Sequence, residues 1–136
     1  MIYYFSGTGN SYQVAKLLAY LTQDKMQDIS TVKDYKHDDS VMGFVFPVHG
    51  WRPPKIVREF IKKMTIQSNN LQSHYCYALC TAGDDIGMTM EYLNKDLAEK
   101  GLCTHSTYSL KMPDNFLYVF HLRCTGVVCY DKGYSV

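Results

Sequence analysis

The chain has 136 residues and a formal net charge of +1, from fourteen Lys and Arg against thirteen Asp and Glu. That length suits one domain able to bury a core without disulfides or metals, and the near balance of charge argues against a broad electrostatic surface for nucleic acid or anionic membrane. The 46% hydrophobic and 14% aromatic content is that of a packed globular chain, and no apolar run reaches the length of a membrane span.

Met1-Ile2-Tyr3-Tyr4-Phe5 reads as a first strand. A start without the basic residues of an export signal makes a cytoplasmic location the expectation. Cys76, Cys80, Cys103, Cys124 and Cys129 then default to reduced thiols, and none forms a C-x-x-C pair. Residues 6–11, Ser6-Gly7-Thr8-Gly9-Asn10-Ser11, follow directly and lead into an amphipathic helix. A strand, a small-residue turn and then a helix is how doubly wound α/β proteins present backbone N–H groups to a phosphate. The two glycines allow a tight turn and close approach, and the four hydroxyl and amide side chains add neutral donors. The loop lacks the Gly-Lys-Ser/Thr of nucleotide-hydrolysing loops and the third glycine of a dinucleotide fingerprint. It also lacks the cysteine nucleophile of phosphatases with a comparable turn. An ordinary Gly/Ser/Asn turn is the alternative.

Residues 12–21 place Val14, Leu17, Leu18 and Leu21 at helical spacing beside Ala15 and Ala19, so one helix face is expected against a sheet. Residues 24–39 are polar and weakly patterned, and are read as an edge strand within 25–30 and then a surface loop. His37, among charges and without a second ligand nearby, reads as a solvated side chain. Residues 41–46 form a continuous apolar run, as expected of a strand buried on both faces. It ends in Pro47-Val48-His49-Gly50-Trp51-Arg52, which holds the single tryptophan of the chain. A loop at the carboxyl end of such a strand is where these folds bind ligands, and Trp51 offers a planar ring either a stacking surface or merely cover for a neighbouring helix.

Pro53-Pro54 opens a second helix with Ile56, Val57, Phe60, Ile61 and Met64 on its buried face. Residues 75–80 are the next buried strand, with Cys76 and Cys80 as core residues. Thr81, Ala82, Gly83, Asp84 and Asp85 make a third loop at the same edge, before a helix marked by Ile86, Met90, Leu93 and Leu97 and ended by Gly101. One of Asp84 and Asp85 is expected to cap that helix, leaving the other free to bring a carboxylate near a ligand. Residues 102–112 read as a fifth strand, with Leu102, Thr104, Ser106, Tyr108 and Leu110 on one face. The tail shows no helical periodicity. With no repeat or linker, the pattern is that of a three-layer α/β/α domain with a five-stranded parallel sheet in the order 2-1-3-4-5.

The string F-S-G-T-G-N-S resembles the FMN-phosphate loop of the flavodoxin superfamily, which has S/T-x-T-G-N-S/T after its first strand. The stretch F-P-V-H-G-W-R-P-P-K-I-V and Met112-Pro113-Asp114-Asn115-Phe116 resemble the flavodoxin domain of a bacterial ferredoxin-fused subgroup. Members of that subgroup usually have tyrosine at the position of His49 and a small residue at that of Arg52. His49 either stacks or donates a hydrogen bond, and Arg52 either attracts an anionic reduced ring or reaches solvent.

The resemblance covers about residues 1–116 as a flavodoxin-like FMN-binding domain and leaves 117–136 as a divergent or truncated tail without the last helix or the ferredoxin cysteines. It implies FMN as cofactor, with residues 6–11 on the phosphate and the loops 47–52 and 81–85 on the ring. A carboxylate of the third loop near the ring would lower its potential. The function implied is electron transfer to a redox partner such as a ferredoxin or reductase, with no catalytic side chain and no metal. Two alternatives remain, an FMN-dependent NAD(P)H/quinone-type reductase and a non-catalytic flavodoxin-fold protein that has lost FMN. An uncovered sheet face would call for the tail or a second copy in a homodimer.

Overall fold

The computed structural model describes residues 1–67 and 73–112, together with the backbone of 127–129. The 116/117 boundary, residues 113–116 and most of the tail 117–136 lie outside the described residues. In chain order the elements are β1 (Ile2–Tyr4), α1 (Asn10–Thr22), β2 (Met26–Asp28), β3 (Lys36–His37), β4 (Val41–Pro47), α2 (Lys55–Lys63), β5 (Thr65–Ile66), β6 (Tyr75–Ala82), α3 (Thr89–Ala98), β7 (Thr104–Lys111) and β8 (Val127–Cys129).

The main sheet runs β2-β1-β4-β6-β7-β8. Its first five strands are parallel and reproduce the order 2-1-3-4-5, while β8 pairs antiparallel with β7, Leu110 opposite Val127. The central strands are apolar on both faces because both faces are covered: Met42 to Phe46 apart from glycine are all fully buried. Pro47 closes its strand opposite Thr81, where the missing N–H ends the ladder. Gly43 is required by packing, because a Cβ there would collide with the ring of Tyr77, which lies across β4 from the neighbouring strand.

The two faces are covered unequally. On one, α2 and α3 bring Val57, Phe60, Ile61, Met90, Leu93 and Leu97 onto Tyr3, Phe44, Phe46, Cys76, Ala78 and Cys80. On the other, α1 is the one helix among the described residues, and Ala15 with Ile2, Val45 and Leu79 makes a much smaller buried cluster. Val14 and Leu18 join its margin. Leu17 and Leu21, expected against the sheet, are 58% and 67% exposed, because no neighbouring element among the described residues lies over that flank.

Two further expectations are corrected. His37 is not a solvated loop residue, because β3 pairs with β5 and brings its ring against Tyr3 and Phe60. The Tyr3 hydroxyl donates to Asp39 Oδ2 at 2.6 Å and lies 2.8 Å from His37 Nδ1. Its single proton is committed to the carboxylate, so Nδ1 is the donor in the second bond. That leaves His37 Nε2 buried and unpartnered among the described residues. Strand β7 also breaks the strict alternation expected of it. Cys76 aligns with Thr104 but Tyr77 aligns with Ser106, a bulge in which His105 Nδ1 accepts the Cys76 N–H and the His105 ring stacks on Tyr75. Thr104 therefore meets Asn94 of α3, while Tyr108 and Leu110 join the α1 side.

Candidate functional site

All three predicted loops meet at the carboxyl edge of the sheet. A cleft of about 230 Å³ is lined by Ser6, Gly7, Thr8, Asn10 and Ser11, by Pro47, Val48 and His49, and by Thr81, Ala82, Gly83 and Met112. The first loop turns on Gly9, whose φ of +102° disfavours a residue with a Cβ. Ser6 Oγ accepts the Gly9 N–H at 3.0 Å and closes the turn. Helix α1 starts at once, with no side chain capping its N-terminus. The positive end of that helix thus opens toward the cleft without an internal carboxylate to neutralise it. Apart from His49 the lining holds no ionisable side chain, so an anion there would be held by neutral donors.

Ser11 is nearly fully buried, and its hydroxyl shares a 2.8 Å hydrogen bond with Thr81 Oγ1. This ties the first loop to the third. The second loop is a two-residue hairpin: His49 N–H donates to the Arg52 carbonyl at 3.0 Å, and Arg52 N–H to the His49 carbonyl at 3.2 Å. Gly50 and Trp51 both have positive φ, +57° and +61°, the geometry of a type I′ turn. Trp51 is thus a bulky residue in the left-handed region, with its indole 63% exposed. It stands against Gly87, where a Cβ would lie 2.5 Å from the Trp51 Cβ. Trp51 is not among the residues that line the cleft. His49 meets Phe5 edge-on at 6.2 Å.

Gly9, Gly50, Trp51, Arg52, Asp84 and Asp85 are the predicted residues that do not line the cleft. The Arg52 guanidinium lies over the Tyr92 ring of α3 at 4.8 Å, a contact within the protein that sequence reasoning did not foresee. Neither aspartate caps α3, whose N-cap is Met88 without a side-chain bond. Asp85 Oδ1 accepts the Gly87 N–H and shapes the turn before the helix, and the exposed Asp84 carboxylate pairs with Lys111 at 3.2 Å. Met112 was missed as a lining residue. The signal was its place at the end of the last parallel strand, where its N–H donates to the Ala82 carbonyl. Cys76 and Cys80 are core residues as expected, and burial pushes their thiols up to about 11 and about 12, which keeps them protonated and inert.

No family model matches the chain, and no curated protein matches it by sequence. Solved structures do match it. A candidate flavoprotein from Bacteroides eggerthii superposes with a TM-score of 0.61 at 16% identity, over 83% of this chain and 88% of that one. The two-electron reduced flavodoxin of Megasphaera elsdenii gives 0.59 at 17% identity, over 85% and 90%. The rubredoxin oxygen:oxidoreductase of Desulfovibrio gigas gives 0.60 at 14% identity over 85% of this chain, with only 31% of the longer protein covered. At such identities the likeness is one of fold, and the fold is the flavodoxin-like α/β sandwich.

Proposed function

We propose that the chain binds FMN in this cleft and serves as an electron-transfer flavoprotein. The observation that carries the reading is the uncapped N-terminus of α1 opening, through a neutral hydroxyl-rich turn, into the same cleft as the second and third loops. In that arrangement backbone N–H groups of the 6–11 turn other than that of Gly9, which is taken by Ser6, hold the phosphate, and Ser6, Thr8 and Asn10 add donors around it. The loops 47–52 and 81–83 flank the ring, with His49 in the lining and the exposed Trp51 indole offering an apolar surface. When bound, the isoalloxazine supplies the redox chemistry. The protein's own contribution is binding, orientation and exclusion of water, since the lining contains no thiol and no carboxylate. The fused-ferredoxin resemblance and the flavoprotein neighbours support electron transfer to a protein partner such as a ferredoxin or reductase.

The test is a titration of the purified full chain with FMN and, separately, with riboflavin, followed by flavin fluorescence. Saturable quenching by FMN is expected, with riboflavin bound at least about tenfold more weakly because the anion site then goes unused. Absence of FMN binding would overturn the reading and favour a flavodoxin-fold protein that has lost the cofactor. Bleaching of bound flavin by NAD(P)H without any partner protein would instead identify a reductase.

A further inference from the structure

We propose that Gly87, which does not line the cleft, is a positioning residue for the flavin site and acts through Trp51. Its effect on affinity rests on the reading of the cleft as an FMN site, whereas the seat it gives the indole belongs to the chain alone. A Cβ on Gly87 would lie 2.5 Å from Trp51 Cβ, 2.9 Å from Cδ1 and 3.0 Å from Cγ. The nearest of these atoms is the root of the side chain, so no change of rotamer relieves the overlap and the hairpin or the turn must shift. Gly87 has a φ of +53°, so two left-handed residues, Gly87 and Trp51, stand against each other at this contact.

Both sides of the contact are held in place. The hairpin rests on the β6–α3 segment at three points: the Val48 N–H donates to the Thr81 carbonyl at 2.9 Å, Trp51 lies against Gly87, and the Arg52 guanidinium lies over the Tyr92 ring. Its own arms are closed by the two hydrogen bonds between His49 and Arg52. On the other side, Asp85 Oδ1 accepts the Gly87 N–H at 3.1 Å, and the fully buried Thr89 donates both its N–H and its hydroxyl to the Ile86 carbonyl. The turn 85–88 is thus anchored at its start and just beyond its end, and glycine is the residue that leaves room on it. The stem of Trp51 is thereby located while 63% of the residue stays exposed, two positions along the hairpin from His49, which lines the cleft. An indole fixed at its root and open on its face is suited to meet a planar ring. Asp85, which does not line the cleft, takes part in the site by holding this seat.

Trp51 is the single tryptophan, so its fluorescence reports this seat alone. In the full chain without FMN, the anisotropy of that emission should fall on Gly87→Ala and on Gly87→Asn, as the displaced ring gains local motion. Asparagine tolerates a left-handed φ yet still carries a Cβ, so it separates overlap from backbone strain and decides the matter if the alanine variant does not fold. Circular dichroism checks the fold of each. Titration with FMN should show both variants binding about tenfold more weakly, a loss equal to that of the indole contact itself. Trp51→Gly removes the ring together with the Cβ that is struck, so adding Gly87→Ala to Trp51→Gly should weaken FMN by less than about twofold further. Unchanged anisotropy and unchanged affinity in a folded Gly87 variant would overturn the proposal. So would a loss of affinity as large in the Trp51→Gly chain as in the unsubstituted one, since Gly87 would then act by a route other than Trp51. Failure of the unsubstituted chain to bind FMN removes the functional reading and this proposal together, whereas FMN binding that ignores Gly87 removes the proposal alone.

Discussion

Trp51 occupies a backbone position that ordinarily falls to glycine or asparagine, and it does so with most of its ring in solvent. A left-handed conformation costs a residue with a Cβ about 1–2 kcal/mol, and the contact with Gly87 is small compensation for an indole that stays exposed. Strain without burial is the signature of a residue kept for what it touches outside the fold. Trp51→Asn should therefore leave the urea unfolding free energy unchanged or raise it by about 1 kcal/mol, since asparagine tolerates this φ. The same substitution should weaken FMN about tenfold through loss of ring contact. A fall in stability with unchanged FMN affinity would show that the indole is a packing residue. The presence of a tryptophan in the loop after β4 was legible in the sequence; its positive φ was not, because Gly-Trp at the tip of a hairpin follows no common turn preference.

At the scale of elements, the contiguous apolar run of β4 and the spacing of Met90, Leu93 and Leu97 in α3 were readable because their signals are local. What escaped were features decided by a neighbour. At the bulge the Cys76 N–H of the adjacent strand is satisfied by the His105 ring, and β8 is placed by pairing with β7 rather than by any alternation of its own. Asp84 and Asp85 looked like caps, yet the turn through Gly87 puts α3 out of reach of both. The packing of α2 against α3 likewise rests on a pair unseen in sequence. Asp96 is nearly fully buried and receives two hydrogen bonds from Arg58, at 2.6 and 2.9 Å, which hold that guanidinium firmly in its charged state. The Arg58 and Arg52 guanidinium groups both lie over the Tyr92 ring, at 5.5 and 4.8 Å from its centroid. Asp96→Asn should cost about 2–3 kcal/mol in a urea melt, less than a fully buried pair because Arg58 is partly exposed and can rehydrate. A change within about 0.5 kcal/mol would place the pair with ordinary surface bridges.

For the whole molecule, the unequal cover of the sheet sets where stability resides. The large cluster under α2 and α3 extends to the partly buried polar group of Tyr3, His37 and Asp39 at the opposite end from the cleft. Burial outweighs the nearby carboxylates of Asp39 and Asp34 and holds His37 below its ordinary value of 6.5. The unfolded chain then takes up the proton more readily than the folded one. The contribution of neutral His37 is fully present above about pH 6.5 and is lost as pH falls from there through the folded value. Unfolding free energy measured by urea should thus be level above neutrality and decline below pH 6.5, with a shallower decline in His37→Gln. Identical slopes in the two proteins would exclude His37 as the source.

The hydroxyl pair Ser11–Thr81 has a consequence for how any ligand enters the cleft. It joins the start of α1 to the end of β6, two points seventy residues apart in the chain, and so makes the first and third loops parts of one rigid frame. The entropy of arranging those loops is surrendered when the protein folds, not when a guest arrives. Association then needs no rearrangement between these two loops, and the frame retains its shape when the guest departs.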